Sequence, residues 1–126
     1  MPFYQFTIPA ESPTASRKPE VARAVTQAHV RVTGAPADYV NIAFVEVAAG
    51  SIFAGGEAVE AGRMAGMIRS GRSPATKREL LAEISRAWGE ATGEPPDSFA
   101  LFIEEVPGDH MLENGRFLPE ASEDFA

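Results

Sequence analysis

Apolar residues along this chain switch between two spacings, and each switch marks an element. Tyr4, Phe6 and Ile8 alternate with neighbours of mixed polarity, which predicts a strand over residues 3–8. A run rich in Pro, Ser and Thr follows over residues 9–16 and reads as a turn region. Val21, Ala24, Val25, Ala28 and Val32 then fall at helical spacing. Gly34 stops that helix and Pro36 forbids its return. Residues 39–47 are rich in β-branched and aromatic side chains and predict a second strand. Gly50 and Gly55-Gly56 bracket a short turn-strand, Ser51-Ile52-Phe53.

The same order then recurs. Residues 63–68 predict a strand, and Ser73-Pro74 is a helix start, with serine as cap and proline in the first turn. Leu80, Leu81, Ile84, Ala87, Trp88 and Ala91 line one helical face, Gly93 closes it, and residues 99–106 predict a strong strand. Asn114-Gly115 is a hairpin turn. At a shift of 59, Lys18-Pro19-Glu20-Val21 falls on Lys77-Arg78-Glu79-Leu80, His29 falls on Trp88, and Thr33-Gly34 with Pro36 and Asp38 falls on Thr92-Gly93 with Pro95 and Asp97. Two copies of one unit are present, where a solenoid needs three or more.

The expected fold is therefore α/β (α+β): two fused β-α-β units forming one domain, about residues 1–59 and 60–118, with a short acidic tail. Strand-helix-strand units pair their strands in parallel with right-handed crossovers. The result is a four-stranded, mainly parallel-paired sheet with both helices on one face, plus short hairpins. The other face is left bare and needs cover, so a homo-oligomer is expected.

Composition narrows the function. The 126 residues carry 18 acidic against 11 basic side chains, a net charge of −7, which argues against nucleic acid as a partner. There is no cysteine, hence no thiolate metal site. No apolar run reaches the roughly 18 residues of a membrane span, and no signal peptide pattern opens the chain, so the expected location is the cytoplasm. Glu120, Glu123 and Asp124 make the tail acidic, and it is expected to be solvated.

Four places could carry chemistry. Met1 precedes a small residue, and trimming it leaves Pro2 with a free secondary amine on a strand; the plainer alternative is that Pro2 merely begins an edge strand. Arg69 and Arg72 flank Gly71 just before a helix start, a place suited to a carboxylate; the alternative is two solvated arginines. His29 shares the apolar helix face and is either a core residue or part of a site. Glu113 beside its turn is either solvated or a base that activates water or orients the proline ammonium.

These residues resemble the tautomerase superfamily, whose members use an amino-terminal proline in a β-α-β fold. The nearest resemblance is to the cis-3-chloroacrylic acid dehalogenase group, with two fused units and trimeric assembly. It rests on Pro2 with Tyr4, on Thr26, Ala28 and His29 followed by Thr33-Gly34, and on Phe53 with Gly55-Gly56. It also rests on Arg69, Gly71, Arg72 and Ser73, and on Glu113 with Gly115-Arg116-Phe117-Leu118-Pro119. The resemblance implies that Pro2 is the catalytic amine, that Arg69 and Arg72 hold a substrate carboxylate helped by His29, and that Glu113 is the water-activating base. It adds Arg116 to the binding set and puts Phe102 where the dehalogenases carry a tyrosine. It implies a cofactor-independent enzyme, a homotrimer, and a small carboxylate substrate. Phenylalanine donates no hydrogen bond, so tautomerase ranks above hydratase, dehalogenase or 3-oxo acid decarboxylase, with a non-catalytic trimeric scaffold as the non-enzyme alternative.

Overall fold

The computed structural model describes residues 1–121. Strand β1 (Phe3–Pro9) leads through a short helix α1 (Pro13–Ser16) to helix α2 (Lys18–Thr33), strand β2 (Asn41–Val47) and a small hairpin, β3 (Phe53–Ala54) with β4 (Glu57–Ala58). The second round runs β5 (Arg63–Arg69), α3 (Pro74–Thr92), β6 (Ala100–Val106) and a second hairpin, β7 (Leu112–Glu113) with β8 (Arg116–Phe117). From the second strand onward the copies superpose in number: β2, β3 and β4 shifted by 59 give β6, β7 and β8.

The four long strands form one mixed sheet in the order β2-β1-β5-β6. The outer pairs are parallel and the central pair, β1 with β5, is antiparallel. Tyr4, Phe6 and Ile8 of β1 and Met64 and Ile68 of β5 point to the helix side and are fully buried with Val21, Val25, Ala28, Leu80, Ile84 and Trp88. The opposite face carries Val45, Met67 and Phe102, all exposed. Among the described residues no helix is long and apolar enough to cross a membrane.

Two local expectations change. The turn region over residues 9–16 contains a helical turn, α1, capped by the Ser12 side chain accepting from Ala15 N–H at 3.2 Å. The helix cannot run through to α2, because Pro19 lacks an N–H and its ring would clash with the carbonyl four residues back; the chain breaks at Arg17, at φ −133° and ψ 34°. The second copy has no such proline and keeps one 19-residue helix. In the first small hairpin the paired residues are Phe53–Ala54 and Glu57–Ala58, with Ser51 and Ile52 outside the ladder.

Candidate active site

The amino end of β1 enters where the carboxyl end of β5 and the amino end of β2 meet. The antiparallel register sets Phe3 against Met67, and two residues further on Met1 and Arg69 line one cavity of about 280 Å³ with Tyr39, Leu118 and Pro119. On the other side, Asn41 N–H donates to the Pro2 carbonyl at 2.9 Å. The β7–β8 hairpin brings Glu113 to the chain's amino end. Its turn residues Asn114 and Gly115 sit at φ 55° and 80°, the left-handed pair that a tight hairpin requires, and the turn sets Glu113 opposite Arg116.

The Met1 amino group donates to both carboxylate oxygens of Glu113 at 2.5 Å. Asn41 Nδ2 donates to Glu113 Oε2 at 3.0 Å and to the Tyr39 carbonyl at 3.0 Å, which fixes the carboxylate. Three covalent bonds separate the Met1 and Pro2 nitrogens, so they lie about 3 Å apart. Pro2 itself is buried.

Two residues after Pro2, Tyr4 of β1 reaches across to α2. Its hydroxyl and His29 Nδ1 lie 2.7 Å apart, with the rings edge to face. His29 is 1% exposed, and its Nε2 is the one buried side-chain polar atom, among the described residues, without a hydrogen-bond partner. Burial, then Arg72, the chain amino group and Arg69, hold the His29 pKa down at about 3, so the ring is neutral at neutral pH. Burial pushes the Tyr4 hydroxyl above the ordinary tyrosine range, opposed by Arg72.

Both arginines are half-buried. Arg69 lies in the Met1 cavity and donates to the Pro119 carbonyl at 2.9 Å. Arg72 lines a neighbouring hollow with Thr33, Thr76 and Ala121. Arg72 and Arg69 both bear on His29.

Phe102 stands apart within the chain. It lies on the bare sheet face, 62% exposed, in register with Ala65, which is in turn in register with Gln5. Two strand spacings, about 10 Å, separate it from β1. Arg116 is exposed across the hairpin from Glu113. Glu120 departs from the expected solvated tail: it accepts from the Ser70 hydroxyl and from Gly108 N–H at 2.6 Å, and Ala121 N–H donates to the Ser70 carbonyl at 2.9 Å. The Ser70 hydroxyl first, then the Gly108 N–H, lowers the Glu120 pKa. Glu123 and Asp124 lie outside the described residues.

Sequence reasoning missed Asn41 and the link between Tyr4 and His29. A signal existed for the second: Tyr4 shares the period-2 face of Phe6 and Ile8, and a buried tyrosine hydroxyl needs a partner. Among the described residues no group of three or more His, Asp or Glu is placed to hold a metal ion.

Comparison with known proteins places the chain. Residues 1–125 match the family described as "Putative oxalocrotonate tautomerase enzyme", and the chain belongs to this family of the tautomerase superfamily. The crystal structure of N1, a member of the cis-3-chloroacrylic acid dehalogenase family, is 31% identical and superposes with a TM-score of 0.90, covering 97% of this chain and 87% of that one. A fused 4-OT, F6, solved as an asymmetric trimer, is 26% identical at a TM-score of 0.82, covering 91% and 94%. FG41 malonate semialdehyde decarboxylase, inhibited by 3-bromopropiolate, shares the fold at 17% identity and a TM-score of 0.75, covering 86% of each chain. No curated protein matches the sequence.

Proposed function

We propose that this chain is a cofactor-independent tautomerase of small 2-oxo and unsaturated carboxylic acids, and that its base is the Pro2 amine freed by loss of Met1. The observation that carries the reading is the pairing of the chain's amino terminus with Glu113 beside His29 and Arg69. Once Met1 is removed, the Pro2 nitrogen becomes a secondary amine within about 3 Å of the place the Met1 ammonium held. The vacated space lies between a base and two cations, which suits an anion with an acidic proton.

For an enol such as phenylenolpyruvate, Arg69 and Arg72 hold the carboxylate with His29. Pro2 accepts the proton of the 2-hydroxyl and returns it to C3 as the C2–C3 double bond gives way to a C2 carbonyl. Nothing is gained or lost overall. Nearby cations favour the neutral form of an amine, which is the form a base needs. Glu113, held by Asn41, orients the transient prolinium. The trimeric fused 4-OT relative and the bare sheet face together support a homotrimer, in which Phe102 and Met67 would be covered.

Hydration of an unsaturated acid is the second reading, and the Glu113 carboxylate beside the amino terminus is what favours it. It ranks lower because the resemblance puts Phe102, which offers no hydroxyl to hold water, where the dehalogenases carry a tyrosine, on the sheet face that a trimer would cover. The test is intact mass of the purified protein followed by phenylenolpyruvate ketonisation. Loss of Met1 with turnover that Pro2→Ala abolishes supports the reading. A processed chain without turnover, or with hydration faster than ketonisation, overturns it.

A further inference from the structure

His29 Nε2 is buried, lacks a hydrogen-bond partner among the described residues, and sits on the flank of the ring away from Tyr4. A buried polar atom left without a partner costs stability, and one that lies under the influence of Arg72, the chain amino group and Arg69 points to a ligand. Which kind of ligand depends on which ring nitrogen carries the proton. Tyr4 decides that. Its hydroxyl has one proton, is fully buried, and has His29 Nδ1 as its hydrogen-bond partner at 2.7 Å. If Nδ1 carried the proton, it would donate to the Tyr4 oxygen, and the Tyr4 proton would have to find another acceptor in the apolar core of Phe6, Ile8, Val25 and Met64. With Tyr4 as donor and Nδ1 as acceptor, both groups are satisfied and Nε2 bears the hydrogen.

We propose that Tyr4 is a positioning residue for the anion site: by donating to His29 Nδ1 it fixes the Nε2–H tautomer, so that Nε2–H donates to one oxygen of the carboxylate that Arg69 and Arg72 attract. The charged and titratable groups bearing on the ring are Tyr4 from β1, Arg69 at the end of β5, Arg72 from the segment after it, and the chain amino group. Among the described residues none of these is an anion. Gly66 makes the arrangement possible from the other side: a Cβ there would stand 2.5 Å from Tyr4 Cδ1, so glycine leaves the room that the Tyr4 ring occupies.

The inference rests on the tautomerase reading for the identity of the anion, and the experiment separates the two. Long-range proton–nitrogen NMR of the processed full chain reads the His29 tautomer directly. The expected pattern is Nε2–H throughout about pH 5–8, with the Nε2–H resonance moved by millimolar pyruvate and not by acetone. Tyr4→Phe should give a mixture of tautomers and raise KM for phenylenolpyruvate about tenfold with kcat within about threefold of wild type, the signature of lost uniform binding. Gln presents an amide N–H near the Nε2 position without needing Tyr4, so adding Tyr4→Phe to His29→Gln should change KM no further. An Nδ1–H pattern in the wild type, an unchanged tautomer in Tyr4→Phe, or an Nε2–H resonance indifferent to pyruvate overturns the proposal. Should enol turnover be absent while the pyruvate shift and the Tyr4→Phe mixture are present, the tautomerase reading falls and the positioning role stands.

Discussion

His29 and Trp88 occupy matched places in the two copies, 59 residues apart, and they do opposite things. His29 leaves a buried nitrogen without a hydrogen-bond partner among the described residues. Trp88 fills its region: it stacks on Phe99 at 3.7 Å, meets Phe6 edge to face, and donates from Nε1 to Thr14 Oγ1 at 2.9 Å. At the shift of 60 that relates β1 to β5, the place matching Pro2 is Gly62, where even a Cβ would stand 2.8 Å from Ile8 Cγ2 and 3.0 Å from Trp88 Cζ2. Asn41 is matched by Ala100, Glu113 by Ala54, and Arg69, at a shift of 60, by Pro9. One end of a near-symmetric sheet is thus packed shut, and the other keeps polar groups around an opening.

This asymmetry separates stability from activity. Trp88→Phe keeps an aromatic ring but loses the bond to Thr14 and leaves space, so it should destabilise by about 1–3 kcal/mol. Turnover per folded molecule should stay at the wild-type level. Urea unfolding and specific activity measured on the same preparation check both halves.

Gly66→Ala acts through Tyr4. The added methyl would overlap a fully buried ring at 2.5 Å, and a ring packed on all sides cannot yield without moving its neighbours. Overpacking of this kind costs about 1–3 kcal/mol. Because Tyr4 carries the bond to His29, KM for a carboxylate substrate should rise together with the loss in stability, whereas a surface glycine such as Gly50 changed to alanine should leave KM alone. Kinetics of both variants distinguish the two cases.

Acid should unfold this protein partly through His29. Its folded pKa is held at about 3, below the ordinary 6.5, so the unfolded chain binds the proton more readily than the folded one. Stability from this group is fully present above about pH 6.5 and is lost as the pH falls toward 3, at up to about 1.4 kcal/mol per pH unit. His29→Gln should flatten that slope. Denaturant midpoints taken at several pH values across this window, for both proteins, provide the measurement.

The fold was legible because each element has its own local cause. Period-2 runs, helical stripes, the Gly34 and Gly93 stops and the Asn114-Gly115 turn all agree, and the internal repeat doubles every signal. The break at Arg17 was hidden because Ser12-Pro13 and Lys18-Pro19 each resemble a helix start, and only the backbone shows that both are used. Pro2, His29, Arg69, Arg72 and Glu113 stood out by residue type. Asn41 and the anchoring of Glu120 on Ser70 and Gly108 did not, since both depend on partners far along the chain. The repeat held an unused clue: polar residues of the first strand–helix–strand and the last hairpin face apolar mates in the other copy.

Arg69 and Arg72 should differ when removed. Arg69 lines the cavity of Met1 and Tyr39 and also holds the Pro119 carbonyl at 2.9 Å, so Arg69→Ala should raise KM and loosen the segment that ends at Ala121. Arg72 bears most strongly of the charges on His29, so Arg72→Ala should raise KM and also lift the His29 pKa toward its ordinary value. Each change should cost less than about 1 kcal/mol in global stability, because half-exposed arginines contribute little. Nitrogen NMR titration of His29 in the two variants decides whether the difference holds.

Met1 and Glu113 set the last expectation. With Met1 in place the Pro2 nitrogen is an amide, without a basic lone pair, and the Met1 ammonium occupies the Glu113 carboxylate at 2.5 Å. A chain made with Met1 retained should therefore fold normally and show no ketonisation. Removing Met1 from that same material should restore it. In the processed chain Glu113→Gln keeps the shape and the hydrogen bond to Asn41 but removes the charge opposite the amine. If Glu113 only orients the prolinium, ketonisation should fall about tenfold or less, while water addition, which needs a base, should fall about 10²-fold or more. Rates for phenylenolpyruvate and for a propiolate-type acid, measured on the wild type and Glu113→Gln, give the ratio. Equal losses in both reactions would mean that Glu113 acts as a base in each, and the division of labour between Pro2 and Glu113 would have to be redrawn.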